Sequence, residues 1–458
     1  MFFKDSVVVI DPKFNLLTDS LKYNTRLQLA TFLSPTLIKS DSVQVYCEEG
    51  FYDTANEIAE FRVNAQFEKK EQKAKADIIR YDGITGRYTL SGNAYFSEND
   101  RKATADTIEY DERTEETFLI GNARYQDSTQ TITAQKIIYD SKNDVYRTRG
   151  RSYISDPPQI LEADQVDYES ETGFGVAIGN VIWRDTTEQI TIRAELARYE
   201  KKSDYLKASG GRPMMISIVD GDSLFLAADT LLALSRRDSV DLDSTVRVDT
   251  SRVLIAYPDV RVFKSDLQAI CDSLIYSTRD SIFRFFVAPI IWSDTSQFSA
   301  DTILLSLKNE KIDHIYLLNK SFILNSPDEI YFNQIKGKNI VASFEESELR
   351  QMAVDGSAES VYYALDETKA YVGVNKTVCS RMLLYFGNNE IERIKFYTQP
   401  TAKLEPMRQA DHGALKLEGF NWQIEKRPRA MADVLTPKRQ AAVIPTLEAT
   451  LESKEPKK

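Results

Sequence analysis

Ala76-Asp77-Ile78-Ile79-Arg80-Tyr81 returns as Ala105-Asp106-Thr107-Ile108-Glu109-Tyr110 and as Ala134-Gln135-Lys136-Ile137-Ile138-Tyr139. It returns again as Ala163-Asp164-Gln165-Val166-Asp167-Tyr168 and Ala194-Glu195-Leu196-Ala197-Arg198-Tyr199. The tyrosines step by 29, 29, 29 and 31 residues. A second marker keeps the same steps: Gly92, Gly121, Gly150, Gly179 and Gly210, followed in three copies by Asn93, Asn122 and Asn180. A fixed period of this size is the signature of one supersecondary unit stacked on the next.

Each unit reads as two strands. Period-two alternation in the first puts Asp77, Ile79 and Tyr81 on one side and Ala76, Ile78 and Arg80 on the other. The apolar column down the repeats is Ile79, Ile108, Ile137, Val166 and Ala197, backed by Tyr81, Tyr110, Tyr139, Tyr168 and Tyr199. Turn chemistry follows each tyrosine, as in Asp82-Gly83-Ile84-Thr85-Gly86. The second strand runs through the glycine, and four residues on it carries Phe96, Tyr125, Ile154, Trp183 and Met214. In register, these columns predict an all-β chain of repeated two-strand units with two sheets, apolar within and polar without. The repeated glycines mark close strand approach or bulges.

A net charge of −11 argues against a nucleic-acid partner, whose phosphates need a clustered basic face. Cys47, Cys271 and Cys379 lie far apart with no CxxC and read as buried thiols, so no metal site is expected. His314 and His412, the only histidines, have no triad or metal partner at recognisable spacing, and no phosphate-binding or nucleophile motif occurs. No catalytic residue and no cofactor are therefore assigned. Carboxylates are plentiful in the turns, which leaves a polysaccharide-active β-repeat enzyme as an alternative. The Asp of the marker recurs from copy to copy (Asp77, Asp106 and Asp164), as a structural marker does, whereas a catalytic site breaks a repeat once. No apolar run is long enough to cross a membrane as a helix.

Met1-Phe2-Phe3-Lys4-Asp5-Ser6-Val7-Val8-Val9-Ile10 lacks a signal-peptide layout and reads as the second strand of a repeat already in progress, so a truncated start is expected. Its apolar residues would leave an edge open to pairing with another chain. Tyr23 gives the first complete marker. Gly211-Arg212-Pro213 interrupts the fifth unit, where Arg212 reads as a rim residue in solvent, with a lipid phosphate as its alternative partner. The repeat resumes at Cys271-Asp272-Ser273-Leu274-Ile275-Tyr276 and degrades later. The expected organisation is one segment of repeats at 1–223, a second at 224–425 and a disordered tail at 426–458, with a short helical piece near Pro437–Ala442.

The ADxIxY…GN repeat resembles the OstA-like family of lipopolysaccharide-transport proteins. Asp19-Ser20-Leu21-Lys22-Tyr23, Asp272-Ser273-Leu274-Ile275-Tyr276, Gly356-Ser357-Ala358-Glu359-Ser360-Val361-Tyr362-Tyr363 and Gly419-Phe420-Asn421-Trp422 are similar to its long Bacteroidetes-type members. The resemblance implies an open β-jellyroll, or β-taco, as one groove or two in tandem, whose inner faces hold acyl chains. It also implies a periplasmic or outer-membrane-associated place, with lipopolysaccharide or a similar amphiphile as ligand. Other β-jellyroll transport proteins, or a second copy of this chain, would join through edge strands. The groove candidates are then Ile79, Tyr81, Phe96, Ile108, Tyr110, Tyr125, Ile137, Tyr139, Ile154, Val166, Tyr168, Trp183, Tyr199 and Met214. A structural scaffold without a lipid ligand is the competing reading.

Overall fold

In a computed structural model, which describes residues 1–436 other than 13, 41, 243, 244, 347, 388 and 389, the chain is almost entirely antiparallel β. The short helical piece expected near Pro437–Ala442 and the end of the expected tail lie outside the described residues. Two compact units divide between Ser209 and Gly210. There Gly210, Gly211 and Arg212 all take positive φ and Pro213 follows, so the strand Tyr205–Ser209 cannot run on into Met214–Val219.

In the first unit the repeat period appears as cross-strand ladders. Tyr81 pairs with Tyr88, Tyr88 with Tyr110, Tyr110 with Thr117, Thr117 with Tyr139, Tyr139 with Tyr146, and Tyr146 with Tyr168. Gly175 then links Tyr168 to Tyr199. The repeat tyrosines thus sit two strands apart, about 10 Å.

Strict alternation within each strand does not hold. Gly92 and Asn93 (φ 76° and 48°), Gly121 and Asn122 (74° and 48°), and Gly179 and Asn180 (78° and 47°) form left-handed pairs in the middle of long strands. Each pair opposes a single residue of the next strand, as Gly92 and Asn93 oppose Asp106 between the pairings Ser91–Thr107 and Ala94–Ala105. This is a bulge, and it bends the strand. Asn93 Nδ2 donates to Asp77 (3.2 Å), Asn122 to Asp106 (3.1 Å) and Asn180 to Asp164 (2.7 Å). The bulge resets the inward phase. Ala76, Ile79 and Tyr81 point in, and Asp77 points out, which corrects the faces that simple alternation assigns. Ala65, Ala76, Ala94, Ala105, Ala123, Ala134 and Ala163 are all buried beside the corners, where the two halves of the strands converge and only a small side chain fits.

The second unit uses the same corners, at Asn319-Lys320 (59° and 49°) and Gly356-Ser357 (78° and 52°) in the strands Lys311–Asn325 and Glu348–Leu365. Its interior is filled by Leu226, Leu274, Phe285, Ile303, Leu317, Ile340 and Met382. The outer face of one sheet is covered by the chain from 407 to 436. Leu415 and Leu417 pack on Phe322, Leu324, Val361 and Val374, Ile424 on Trp292, and Val434 on Met214 and Ala227. Three buried glutamines on separate strands hold this segment. Gln334 donates to Leu415 O (3.3 Å) and accepts from Leu417 N (2.9 Å). Gln297 donates to Asn421 O (2.7 Å) and accepts from Gln423 N (2.8 Å), and Gln268 accepts from Arg427 Nε (2.6 Å). Residues 426–436, expected in a tail, are therefore packed here, through a 3₁₀ turn at Ile424–Lys426 and a helical turn at Met431–Val434. Arg212 is buried rather than at a rim: it pairs with Asp229 and Asp259 and donates to Val434 O (2.6 Å). Desolvation is affordable for its guanidinium only because both carboxylates face it. Cys47, Cys271 and Cys379 are free and buried.

The corner geometry makes a quantitative prediction. A Cβ at Gly121 would overlap the Asp106 carboxylate, whereas one at Gly86 (φ 67°) meets only the flexible end of Glu112, at 3.3 Å. Gly86→Ala should cost about 1–2 kcal/mol, the left-handed penalty alone. Gly121→Ala should cost clearly more, as read from urea unfolding midpoints. Equal losses would show that the corner tolerates a side chain.

Candidate functional site

The corners fold each long strand so that its two halves face one another across an interior. One half carries the ladder Phe96, Ala103, Tyr125, Ile132, Ile154, Leu161, Trp183 and Ile192. The other carries the tyrosine ladder. Between them, next to the corner, runs the ladder Ile79, Leu90, Ile108, Leu119, Ile137, Thr148, Val166, Ala177, Ala197 and Ala208. Its side chains shrink along the unit, from leucine and isoleucine to valine, threonine and alanine. That taper decides where the interior is solid and where it is empty.

In the half from Ile79 to Ile137 the interior is a packed core. Ile79, Leu90, Ile108, Leu119 and Ile137 are buried, with Phe96, Tyr125 and Tyr139 packed against them. Tyr81 and Tyr110 stack around Tyr88, with ring centroids 4.5 and 6.3 Å away. Tyr125 and Tyr146 come from opposite sheets, with ring centroids 5.7 Å apart. They close the interior like an end wall.

Beyond that wall a cavity of about 440 Å³ opens. Its apolar lining includes Ile132, Tyr146, Ile154, Leu161, Val166, Ala177, Trp183, Ala197 and Leu206. Polar groups gather at the tips of the two sheets: Thr129, Gln130, Asp156, Gln159 and Lys201. Lys201 Nζ lies 3.3 Å from Asp156 Oδ2, and Tyr199 faces Gln159. Both pairs reach from one sheet to the other across the mouth. In the second unit the corresponding space, bounded by Leu226, Val262, Leu274, Phe283, Phe285 and Leu305, amounts to about 30 Å³, room for about one water.

Of the residues read from the sequence as groove candidates, Ile154, Val166, Tyr168, Trp183 and Tyr199 line the cavity. Ile79, Tyr81, Phe96, Ile108, Tyr110, Tyr125, Ile137 and Tyr139 sit in the filled half instead. Met214 belongs to the second unit, because the strand break before it starts a new pairing, and it packs beneath Val434. Sequence reasoning missed Thr148, Leu161, Ala177, Leu206 and the mouth residues. The signal was present, since the column Ile79, Ile108, Ile137, Val166, Ala197 loses volume as well as keeping its polarity.

Among the described residues no three His, Cys, Asp or Glu side chains gather as a metal would need, and no helix is long and apolar enough to cross a membrane. His314 bonds Asp313 at 2.7 Å, and His412 packs on Tyr363 and donates from Nε2 to Met407 O (3.1 Å).

Residues 35–116 and 95–145 match the model of the LptA/(LptD N-terminal domain) LPS transport protein family. Over those residues the chain is similar to that family. The match covers the filled half of the first unit and takes in the first cavity-lining residues, Thr129, Gln130 and Ile132. Among solved structures, LptH of Pseudomonas aeruginosa, described as the LptA-homologous periplasmic component of a lipopolysaccharide transport device, aligns at 20% identity. The alignment covers 23% of this chain and 81% of that one, with a TM-score of 0.22. No curated protein matches the chain.

The packed tyrosines set the alkaline limit of the fold. Burial pushes Tyr125, Tyr139 and Tyr199 up to about 12 and raises Tyr146 and Tyr168 as well. An acid whose pKa is higher folded than unfolded contributes stability that is complete below the unfolded value, near 10, and is lost as pH rises through the folded one. Stability should therefore hold to about pH 10 and fall between about 10 and 12, with tyrosinate absorbance rising together with unfolding. Full ionisation of every tyrosine near pH 10 in a folded chain would contradict the packing described.

Proposed function

We propose that this chain is a non-enzymatic lipid-binding component of lipopolysaccharide transport and outer-membrane assembly, working in the periplasm or at the outer membrane. Its first unit holds an acyl chain in the cavity between the sheets while the polar part of the amphiphile stays at the mouth. The observation that carries this reading is the taper: the ladder gives up side-chain volume over successive strands yet stays apolar apart from Thr148, whose hydroxyl accepts from Val166 N and Ser152 Oγ. An empty apolar trough is costly unless something apolar fills it, since the lining loses its packing partners. Each methylene moved from water into it gains about 0.8 kcal/mol. The family match over 35–145 supports the same reading, as does a mouth whose polar groups can face a head group. Partners would be other β-jellyroll transport proteins, reached through sheet edges.

The filled interior of the second unit favours a structural role for that half, where the same corners build a closed core.

Lipid extracted from the purified full chain tests the proposal. The wild type should carry amphiphile. Trp183→Glu, which puts a charge into the cavity wall, should lose at least about tenfold of it, because a buried unpaired charge costs several kcal/mol. Glu109→Gln, on the outer face, should not. Circular dichroism must show Trp183→Glu folded. A folded Trp183→Glu chain with unchanged lipid would sink the assignment.

A further inference from the structure

The cavity has one closed end, one polar end and a measurable length. We infer that it is a blind-ended site for a single acyl chain bearing an anionic head, with the methyl end against Tyr125 and Tyr146 and the head at Lys201. This rests on the lipid-binding reading above and adds to it the number, length limit and direction of the chain.

The closed end follows from the ladders. Tyr146 lines the cavity, and Tyr125 meets it from the opposite sheet through a ring contact. Behind them Ile137, Leu119 and Ile108 are buried and leave no passage toward the earlier strands. A chain entering from the other end must stop there.

The length follows from strand spacing. The lining comes from six adjacent strands, Thr131–Asp140 through Tyr205–Ser209. From Tyr146, on Val145–Asp156, to Lys201, just after Ile190–Glu200, there are three spacings, about 14 Å. Half of a bilayer's hydrocarbon core, the depth one chain fills, is about 15 Å. One extended chain therefore fits lengthwise, and two do not fit end to end. The volume agrees: about 440 Å³ holds about 15 methylene-sized groups at the ~30 Å³ that a water occupies in the liquid. Several chains of one glycolipid cannot share it.

The direction follows from the polar groups. Lys201 stands at the end away from Tyr146, just after the strand Ile190–Glu200, and lines the same cavity as Ala197 and Leu206. Among the described residues its close ionic partner is Asp156, and the side chains are 59% and 45% exposed. So exposed a pair contributes little, and a ligand carboxylate or phosphate can take Asp156's place while Asp156 turns to water. The Tyr199–Gln159 pair beside it must part to admit the chain.

The test is a chain-length series of saturated fatty acids bound to the delipidated full chain, read by native mass spectrometry. One chain per protein is expected, with affinity rising roughly fourfold per methylene until a break near about 16 carbons. Tyr146→Ala should move the break to longer chains. Ala177→Leu, which grows into empty space and so should stay folded, should move it to shorter ones. Lys201→Glu should weaken an acid at least about tenfold against the alcohol of equal length. Affinity that climbs without a break, or two or more chains per protein, would overturn the blind-ended site and leave the lipid-binding reading standing. Loss of selectivity between acid and alcohol in the wild type would overturn the head at Lys201. Binding of no chain of any length would overturn both the site and the function it rests on.

Discussion

Everything in this chain depends on a corner in which two residues of positive φ oppose one residue of the neighbouring strand. A left-handed conformation costs an ordinary residue about 1–2 kcal/mol, and the corner asks for two in succession in the middle of a strand. Glycine removes the first penalty. Asparagine tolerates the second and returns a hydrogen bond to the aspartate one strand back, at 3.2, 3.1 and 2.7 Å in three copies. Repeated at the same height on alternate strands, the corner folds a ribbon of hairpins along one line. Without it the strands would run straight, the tyrosine ladder and the Phe96–Trp183 ladder would share one flat sheet, and there would be no interior to fill or leave open.

Given that scaffold, side-chain volume alone decides what the interior does. Isoleucine, leucine and stacked tyrosine rings make the early half of the first unit a core. Thr148, Val166, Ala177 and Ala197 make the later half a cavity of about 440 Å³. The second unit keeps the corners and fills the space with Leu226, Phe285, Ile303 and Leu317. Its exposed sheet face is covered by the chain's own segment 407–436. There the Gln334 and Gln297 side chains each offer the donor and acceptor that a neighbouring strand would have supplied. That sheet is consequently buried on both faces, which is why Ala269-Ile270-Cys271 and Ile290-Ile291-Trp292 read as continuous apolar runs rather than alternating ones.

The period, the strand pairing and the tyrosine ladder were legible in the sequence, because a step of 29 residues constrains register directly. The facing of Ala76 and Asp77 was not. Period-two alternation assumes a straight strand, and the bulge that breaks it lies on the neighbouring strand, at Gly92-Asn93 and Val63-Asn64. The site was half legible. Ile154, Val166, Tyr168, Trp183 and Tyr199 were found as an apolar column, but a column says nothing of whether the facing side chains meet across it. Tyr125 and Tyr146 do meet; Val166 and Trp183 leave room between them. The packed course of 424–436 was hidden for another reason. Its partners, Gln268, Gln297 and Arg212, lie more than a hundred residues away and belong to no local pattern.

The central claim is that the later half of the first unit, and no other part of the chain, takes up an acyl chain. Photocrosslinking with a fatty acid carrying a photoactivatable group along its chain, followed by peptide mapping, addresses it most directly. The account predicts adducts on the strands Gln159–Glu169, Phe174–Asp185 and Ile190–Glu200, at Leu161, Trp183 and Ala197. Adducts concentrated around Phe96 and Ile108, or in the second unit, with none on those three strands, would contradict it.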